Sequence, residues 1–230
     1  MRIAAIVQAR MSSTRLPGKV LREAAGKPLL AYLLERLARA EELDRVLVAT
    51  SDLPGDDPVE ALCRKLGVTC VRGPLDDVAG RFLKALDACA ADAFVRICGD
   101  SPLLDPAVVD RACDAFRAGG WDMVTNAQLH DHPDGQLVDV VDAAAFRAAY
   151  ARMSEPGHFG HVTLYLHQRP GEFRILDLPA AADYSGLNFV VDTAEDFAAF
   201  AALVERMDRP HWAYDLDGLA ALARSGEGAR

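Results

Sequence analysis

The first stretch of this chain has no acidic residue. No Asp or Glu occurs before Glu23, although the 230-residue chain carries a formal net charge of −9. Basic residues are the minority, 25 against 34 acidic ones, which argues against general nucleic-acid binding. No apolar run approaches membrane-spanning length, and the amino terminus has no signal-peptide pattern. The five cysteines (Cys63, Cys70, Cys89, Cys98 and Cys113) are odd in number and contain no C-x-x-C pair, so neither a disulfide framework nor a thiolate metal site is indicated. They read as small buried residues in a reducing compartment, and the expectation is a cytoplasmic protein with no membrane partner. Hydrophobic residues make up 51 % of the chain, enough for a sizeable core in one large α/β domain.

The acid-free segment is also where cations gather. Ile3-Ala-Ala-Ile-Val7 reads as a short buried strand. After it, Gln8 to Leu21 (QARMSSTRLPGKVL) carries Arg10, Arg15 and Lys19 among small and hydroxyl residues. Such a loop suits a polyphosphate. Arg makes paired bonds to phosphate oxygens, Lys acts as a point charge, Gly18 permits close backbone approach, and Pro17 fixes a turn. The bland alternative is a surface turn rich in Arg and Lys.

Helix and strand patterns alternate along the rest. Gly26-Lys27-Pro28 opens a helix with Pro28 at its first position. A strand is predicted at 45–50, a helix from Pro58 to Leu66 ended by Gly67, and a short strand at 68–71. Further strands are predicted at 94–98, 121–125 and 173–178, a polar loop at 126–135, and a helix at 143–153. Asp76 and Asp77 stand where one helix starts, Asp105-Pro106 is a second helix-start signature, and Thr193 with Asp196 has capping-box spacing. A closing helix is predicted over 212–223, with one domain spanning 1–224 and a frayed tail at 225–230. The pattern implies a mostly parallel sheet with helices on both faces. Asp100 is left in a loop at the carboxyl end of a central strand, where open parallel sheets bind ligands. Asp192 precedes the Thr193 cap and is not explained by it. His130 and His132 form a weak H-x-H pair better read as solvated loop.

The loop from Gln8 to Leu21 resembles the signature loop of the cytidylyltransferases that make CMP-activated sugar acids. It is most similar to the spore coat polysaccharide biosynthesis branch and also resembles the 3-deoxy-manno-octulosonate cytidylyltransferases. The resemblance implies a single-domain Rossmann-like nucleotidyltransferase fold with a small dimerisation excursion, and a homodimer. It implies that Gln8, Ala9, Arg10, Ser12, Ser13, Arg15 and Lys19 wrap the triphosphate of CTP. The Arg72-Gly…Asp76-Asp77-Val…Arg81 segment resembles one that borders base and ribose, which makes Arg72 and Arg81 nucleotide-side candidates. Gly99-Asp100-Ser-Pro-Leu103 and Val191-Asp192-Thr-Ala-Glu-Asp-Phe197 resemble motifs whose aspartates hold Mg2+, which implies Asp100 and Asp192 as metal ligands. The resemblance puts Gln136, Asp139 and His161 near the sugar. Three positions depart from the pattern: Leu137 stands for an expected Asp, Gly160 for a Glu, and Asn188 for an Arg.

The implied reaction is transfer of CMP from CTP to a sugar acid with loss of pyrophosphate. Arg10, Lys19 and Asp100 carry the chemistry, and two hard carboxylates suit magnesium over zinc. Two other readings stay open: a transferase using another nucleotide or a sugar phosphate, and a nucleotide-binding relative without turnover.

Overall fold

The computed structural model describes residues 1–227. Strand β1 (Ile3–Gln8) is buried through Val7, and its alternate residues feed two different cores. It pairs in parallel with β4 (Arg45–Ser51) on one side and with β6 (Ala93–Cys98) on the other. The full order is β5-β4-β1-β6-β8-β7-β9, with β5 at Thr69–Gly73, β7 at Met123–Thr125, β8 at Asp139–Asp142 and β9 at Ile175–Asp177. Strand β8 alone runs against its neighbours, pairing antiparallel with β6 and with β7. A two-residue ribbon, β2 (Glu23–Ala24) with β3 (Lys27–Pro28), stands apart from the sheet.

Ile3, Ala5 and Val7 point to the face covered by α1 (Leu29–Leu37), α2 (Asp57–Leu66) and α4 (Pro106–Gly119). Ile6 points to the opposite face, where α3 (Val78–Cys89) and α5 (Ala143–Tyr150) pack through Phe82, Phe94 and Phe146. Two short helices, α6 (Pro156–Gly160) and α7 (Leu164–His167), extend that layer. A third core lies at the sheet's edge. There α8 (Ala194–Glu205) and α9 (Leu216–Glu227) close over Leu16, Tyr32 and Leu103.

The caps follow the sequence signals. Asp77 accepts from Gly80 N, Asp105 from Ala107 N, and Thr193 and Asp196 bond reciprocally. Four details differ from the predicted elements. Helix α1 starts at Leu29, because Pro28 is held extended by the β2–β3 ribbon. Asp139 opens a buried strand that no predicted element covered; its Val140 and Val141 are fully buried between β6 and β7. The closing helix starts at Leu216 and is still helical at Glu227, past the point at Ser225 where fraying was expected. Residues 228–230 of that tail lie outside the described residues.

The chain leaves β1 to build β4 and β5 on one side, then crosses back to build β6 on the other. The loops after β1 and β6 therefore diverge, and their parting opens a crevice at the carboxyl edge of the sheet. Gln8 and Cys98 are the last paired residues before it.

Candidate active site

The loop after β1 folds back on itself. Ser13 N and Gly18 N both donate to Met11 O at 2.9 Å. Gly18 holds φ +72, in the left-handed region that favours glycine. Buried Asp56 ties the loop to the sheet. It accepts from Met11 N at 2.6 Å and from Ser51 N at 3.2 Å, and it also bonds the Ser51 hydroxyl. Sequence reasoning missed Asp56. It sits in a 3₁₀ turn just before α2, 45 residues from the loop it anchors, and no local pattern links the two. On the other bank, Gly99 packs so close to β1 that a Cβ would lie 2.7 Å from Gln8 O.

Between these banks lies a cleft of about 320 Å³. Its walls carry five cationic side chains, Arg10, Arg15, Lys19, Arg81 and Arg96, against two carboxylates, Asp100 and Asp192. A cation excess here, in a chain of net charge −9, makes the cleft a local sink for anions. At its centre Lys19, only 7 % exposed, donates through Nζ to Asp100 Oδ2 at 2.7 Å and to Asp192 Oδ1 at 3.0 Å. Arg15 pairs with the second oxygen of Asp192. Residues 81 and 173 positions away in sequence thus meet at one ammonium group. Asp192 is aimed by its own segment: Val191 N donates to Asp100 O at 2.9 Å, and Asp192 N to Asp196 Oδ2 at 3.0 Å.

Three residues of the cleft keep buried polar atoms without a partner: Gln8 Oε1, Arg81 Nε and Arg96 Nε. Buried polar groups are satisfied as a rule, so such a cluster in a polar cleft marks a place for a ligand. Arg81 is 1 % exposed and, among the described residues, donates only to Pro74 O and Leu75 O, at 3.3 and 3.2 Å. Burial, and then the nearby charge of Arg10, lower its pKa from the ordinary guanidinium value.

The predicted site residues divide as follows. Gln8, Ala9, Arg10, Ser13, Arg15, Lys19, Arg81, Asp100, His161 and Asp192 line the cleft, joined by Thr14 and Arg96. Ser12 is exposed and is not among the residues that line it. Arg72 does not reach the cleft. Its guanidinium is taken by Ser51 O, Leu53 O, Asp57 and Glu60, so it clamps the β4–α2 connection instead of facing a nucleotide. Gln136 is fully buried, with its amide spent on Asp105 N at 2.8 Å and Leu103 O at 2.9 Å, so it braces the loop after Asp100 and presents nothing to a sugar. Asp139 is buried beside a neighbouring chamber that it lines together with His161, Thr163 and His167. No group of three or more His, Cys, Asp or Glu side chains fit to hold a metal occurs among the described residues; the H-x-H pair at 130–132 gains no third ligand. Nor is any described helix long and apolar enough to cross a membrane.

A cytidylyltransferase from Leptospira borgpetersenii superposes with a TM-score of 0.93 at 25 % identity, covering 99 % of this chain and 96 % of that one. A CMP:2-keto-3-deoxy-manno-octonic acid synthetase solved with CTP shares the fold alone, with a TM-score of 0.69 at 18 % identity over 90 % of this chain and 99 % of that one. Sheet order, helices and cleft thus define an α/β nucleotidyltransferase-like architecture. Residues 4–206 match the cytidylyltransferase family, and the chain belongs to it. Among its relatives, the spore coat polysaccharide biosynthesis protein SpsF of Bacillus subtilis is 34 % identical over 217 residues, 89 % of this chain and 88 % of that protein. The uncharacterized protein MJ1063 of Methanocaldococcus jannaschii is 32 % identical over 210 residues, 90 % of this chain and 85 % of that protein.

Proposed function

We propose that this protein transfers CMP from CTP to a sugar acid and releases pyrophosphate, in the making of a surface polysaccharide or related glycan. One observation carries the reading: Lys19 sits between Asp100 and Asp192 in a cationic cleft at the point where the sheet reverses its order. Several relatives bear the name 3-deoxy-manno-octulosonate cytidylyltransferase, among them one from Geobacter sulfurreducens, 38 % identical over 165 residues. The name of SpsF supports the polysaccharide context.

In this reading the acceptor hydroxyl attacks the α-phosphorus of CTP. An oxygen–phosphorus bond forms to the sugar, the bond to the β-phosphate oxygen breaks, and pyrophosphate leaves with the electron pair. The hydroxyl proton passes to solvent or to a carboxylate. The α-phosphorus is screened by negative oxygens, so positioning and neutralisation of charge dominate the barrier. Arg10, Arg15 and Lys19 bind the β- and γ-phosphates and stabilise the leaving group. Arg81, with its unsatisfied Nε, faces the nucleotide from the α3 side.

The donor set also suits a hard divalent cation. Two carboxylates converge on one point, and the group they now share is a cation. Asp100 and Asp192 would hold Mg2+, which when bound supplies charge neutralisation at the phosphates. A triphosphate entering the cleft offers Lys19 its own oxygens, and this frees the two aspartates from the ammonium.

Pyrophosphate release, measured with each of the four nucleotides crossed with a panel of sugar acids and sugar phosphates, tests the proposal. Release with CTP and a sugar acid is the expected result. Release only with another nucleotide or only with a sugar phosphate would replace it, and CTP binding without release for any acceptor would leave a nucleotide-binding protein without turnover.

A further inference from the structure

Arg96 reaches the cleft from a strand and not from the cationic loop, and its Nε has no partner in the fold. It lies on β6, on the same face as Phe94, which is buried against Phe82 and Phe146 in the core. Two residues on, at the mouth of the cleft, that face carries a guanidinium. Asp139 stands directly opposite in the β6–β8 register. Among the described residues, however, no carboxylate forms an ion pair with Arg96; its side chain meets the Cys98 thiol, and the Nε is buried without a partner. The Asp139 carboxylate is already satisfied. It accepts from Thr125 Oγ1 at 2.7 Å, from Thr163 Oγ1 at 2.8 Å, and from His167 Nε2 at 3.2 Å.

Arg96 is also the wall between two spaces. On one side is the cation-lined cleft; on the other is a chamber of about 360 Å³. Leu137, Leu164 and Ala127 give the chamber an apolar wall, and Thr163 with His167 gives it a polar one. A half-buried guanidinium whose Nε lacks a partner gains from an acceptor that satisfies it. A guanidinium fork takes a carboxylate through two parallel bonds. The Asp139 charge would repel an anion, but two hydroxyls and an imidazole already hold it.

We propose that this second chamber is the acceptor subsite and that Arg96 binds the acceptor's carboxylate there, next to the phosphates of the nucleotide. The inference rests on the transfer reaction proposed above. It adds the residue that selects acids over neutral sugars.

Calorimetry on the full chain in the presence of CTP tests it. The probes are 3-deoxy-manno-octulosonate, N-acetylneuraminate, the carboxamide of each, and a hexose phosphate. The expected result is that at least one acid binds and its carboxamide does not. Arg96→Gln should weaken the acid about ten- to hundredfold and weaken it more than it weakens CTP, and Arg96→Lys should recover part of the loss. Equal binding of acid and carboxamide, preference for the phosphate, failure of both acids to bind, or loss of CTP affinity in Arg96→Gln with the acid unaffected would each overturn it. If acid and CTP bind as expected but no pyrophosphate appears, the transfer reaction fails and the subsite assignment stands.

Discussion

Replacing Lys19 with Met keeps the length of the side chain and removes its charge. In the fold, Nζ bonds Asp100 and Asp192 at 2.7 and 3.0 Å, and the two carboxylate side chains keep 26 % and 23 % of their exposure. A unit-charge pair near 4 Å is worth about 4 kcal/mol at an effective dielectric near 20. Solvent still reaches both carboxylates, and Arg15 remains on Asp192, so a loss of about 1–3 kcal/mol in the ligand-free protein is the reasonable magnitude. For a chain of this size each kcal/mol lowers Tm by about 2–4 °C. CTP loses a charge-assisted bond of similar worth, so its Kd should rise roughly 5- to 150-fold. The variant also leaves two carboxylates facing each other without the ammonium, so Mg2+ alone should raise the Tm of Lys19→Met more than that of the parent. Melting curves with and without Mg2+, together with calorimetric titration of CTP, read all three effects. A lowered Tm with CTP affinity unchanged within twofold would refute the phosphate role and leave Lys19 as a clamp between loops.

Asp100→Asn should abolish divalent-cation-dependent pyrophosphate release while circular dichroism shows an intact fold; unchanged turnover would remove Asp100 from the site. Asp56→Ala orphans Met11 N and the Ser51 N–H and hydroxyl, so stability should fall by about 1–3 kcal/mol in urea melts and CTP binding should weaken with the loosened loop; full CTP affinity would mean the loop holds its shape unaided. The Asp139–His167 pair sets two pH limits on stability. Burial disfavours both charges, but their mutual bond outweighs it, lowering Asp139 to about 2 and raising His167 above its ordinary value. The stabilisation from Asp139 is therefore present above about pH 4 and is lost as pH falls toward 2; that from His167 is present below about pH 6.5 and is lost as pH rises through its raised pKa. His167→Gln should accordingly lower Tm more at pH 6 than at alkaline pH, and an equal effect at both would mean the imidazole is uncharged in the fold.

The cationic loop, the two aspartates and the capping residues were legible because each is written in consecutive residues. A strand followed by Arg, Lys, Ser and Gly, or an Asp-Pro or Thr-x-x-Asp helix start, is decided by local backbone and side-chain chemistry. Alternating apolar segments likewise implied the doubly covered sheet. Arg72 and Gln136 were misread for the opposite reason. Each stands in a segment with a site-like pattern, but Arg72 is consumed by Glu60 and Asp57 from α2, and Gln136 by Asp105 and Leu103 across the loop. No sequence separation announces such partners.

The chain by itself determined where backbone turns, which residues seek the core, and which stretch is positively charged, because those depend on neighbours in sequence. Only the tertiary structure decided that Lys19 would lie between Asp100 and Asp192, that Asp56 would hold the loop, and that Arg96 Nε would stay without a partner. Those outcomes depend on sheet order and strand register, which bring together groups that the chain keeps far apart.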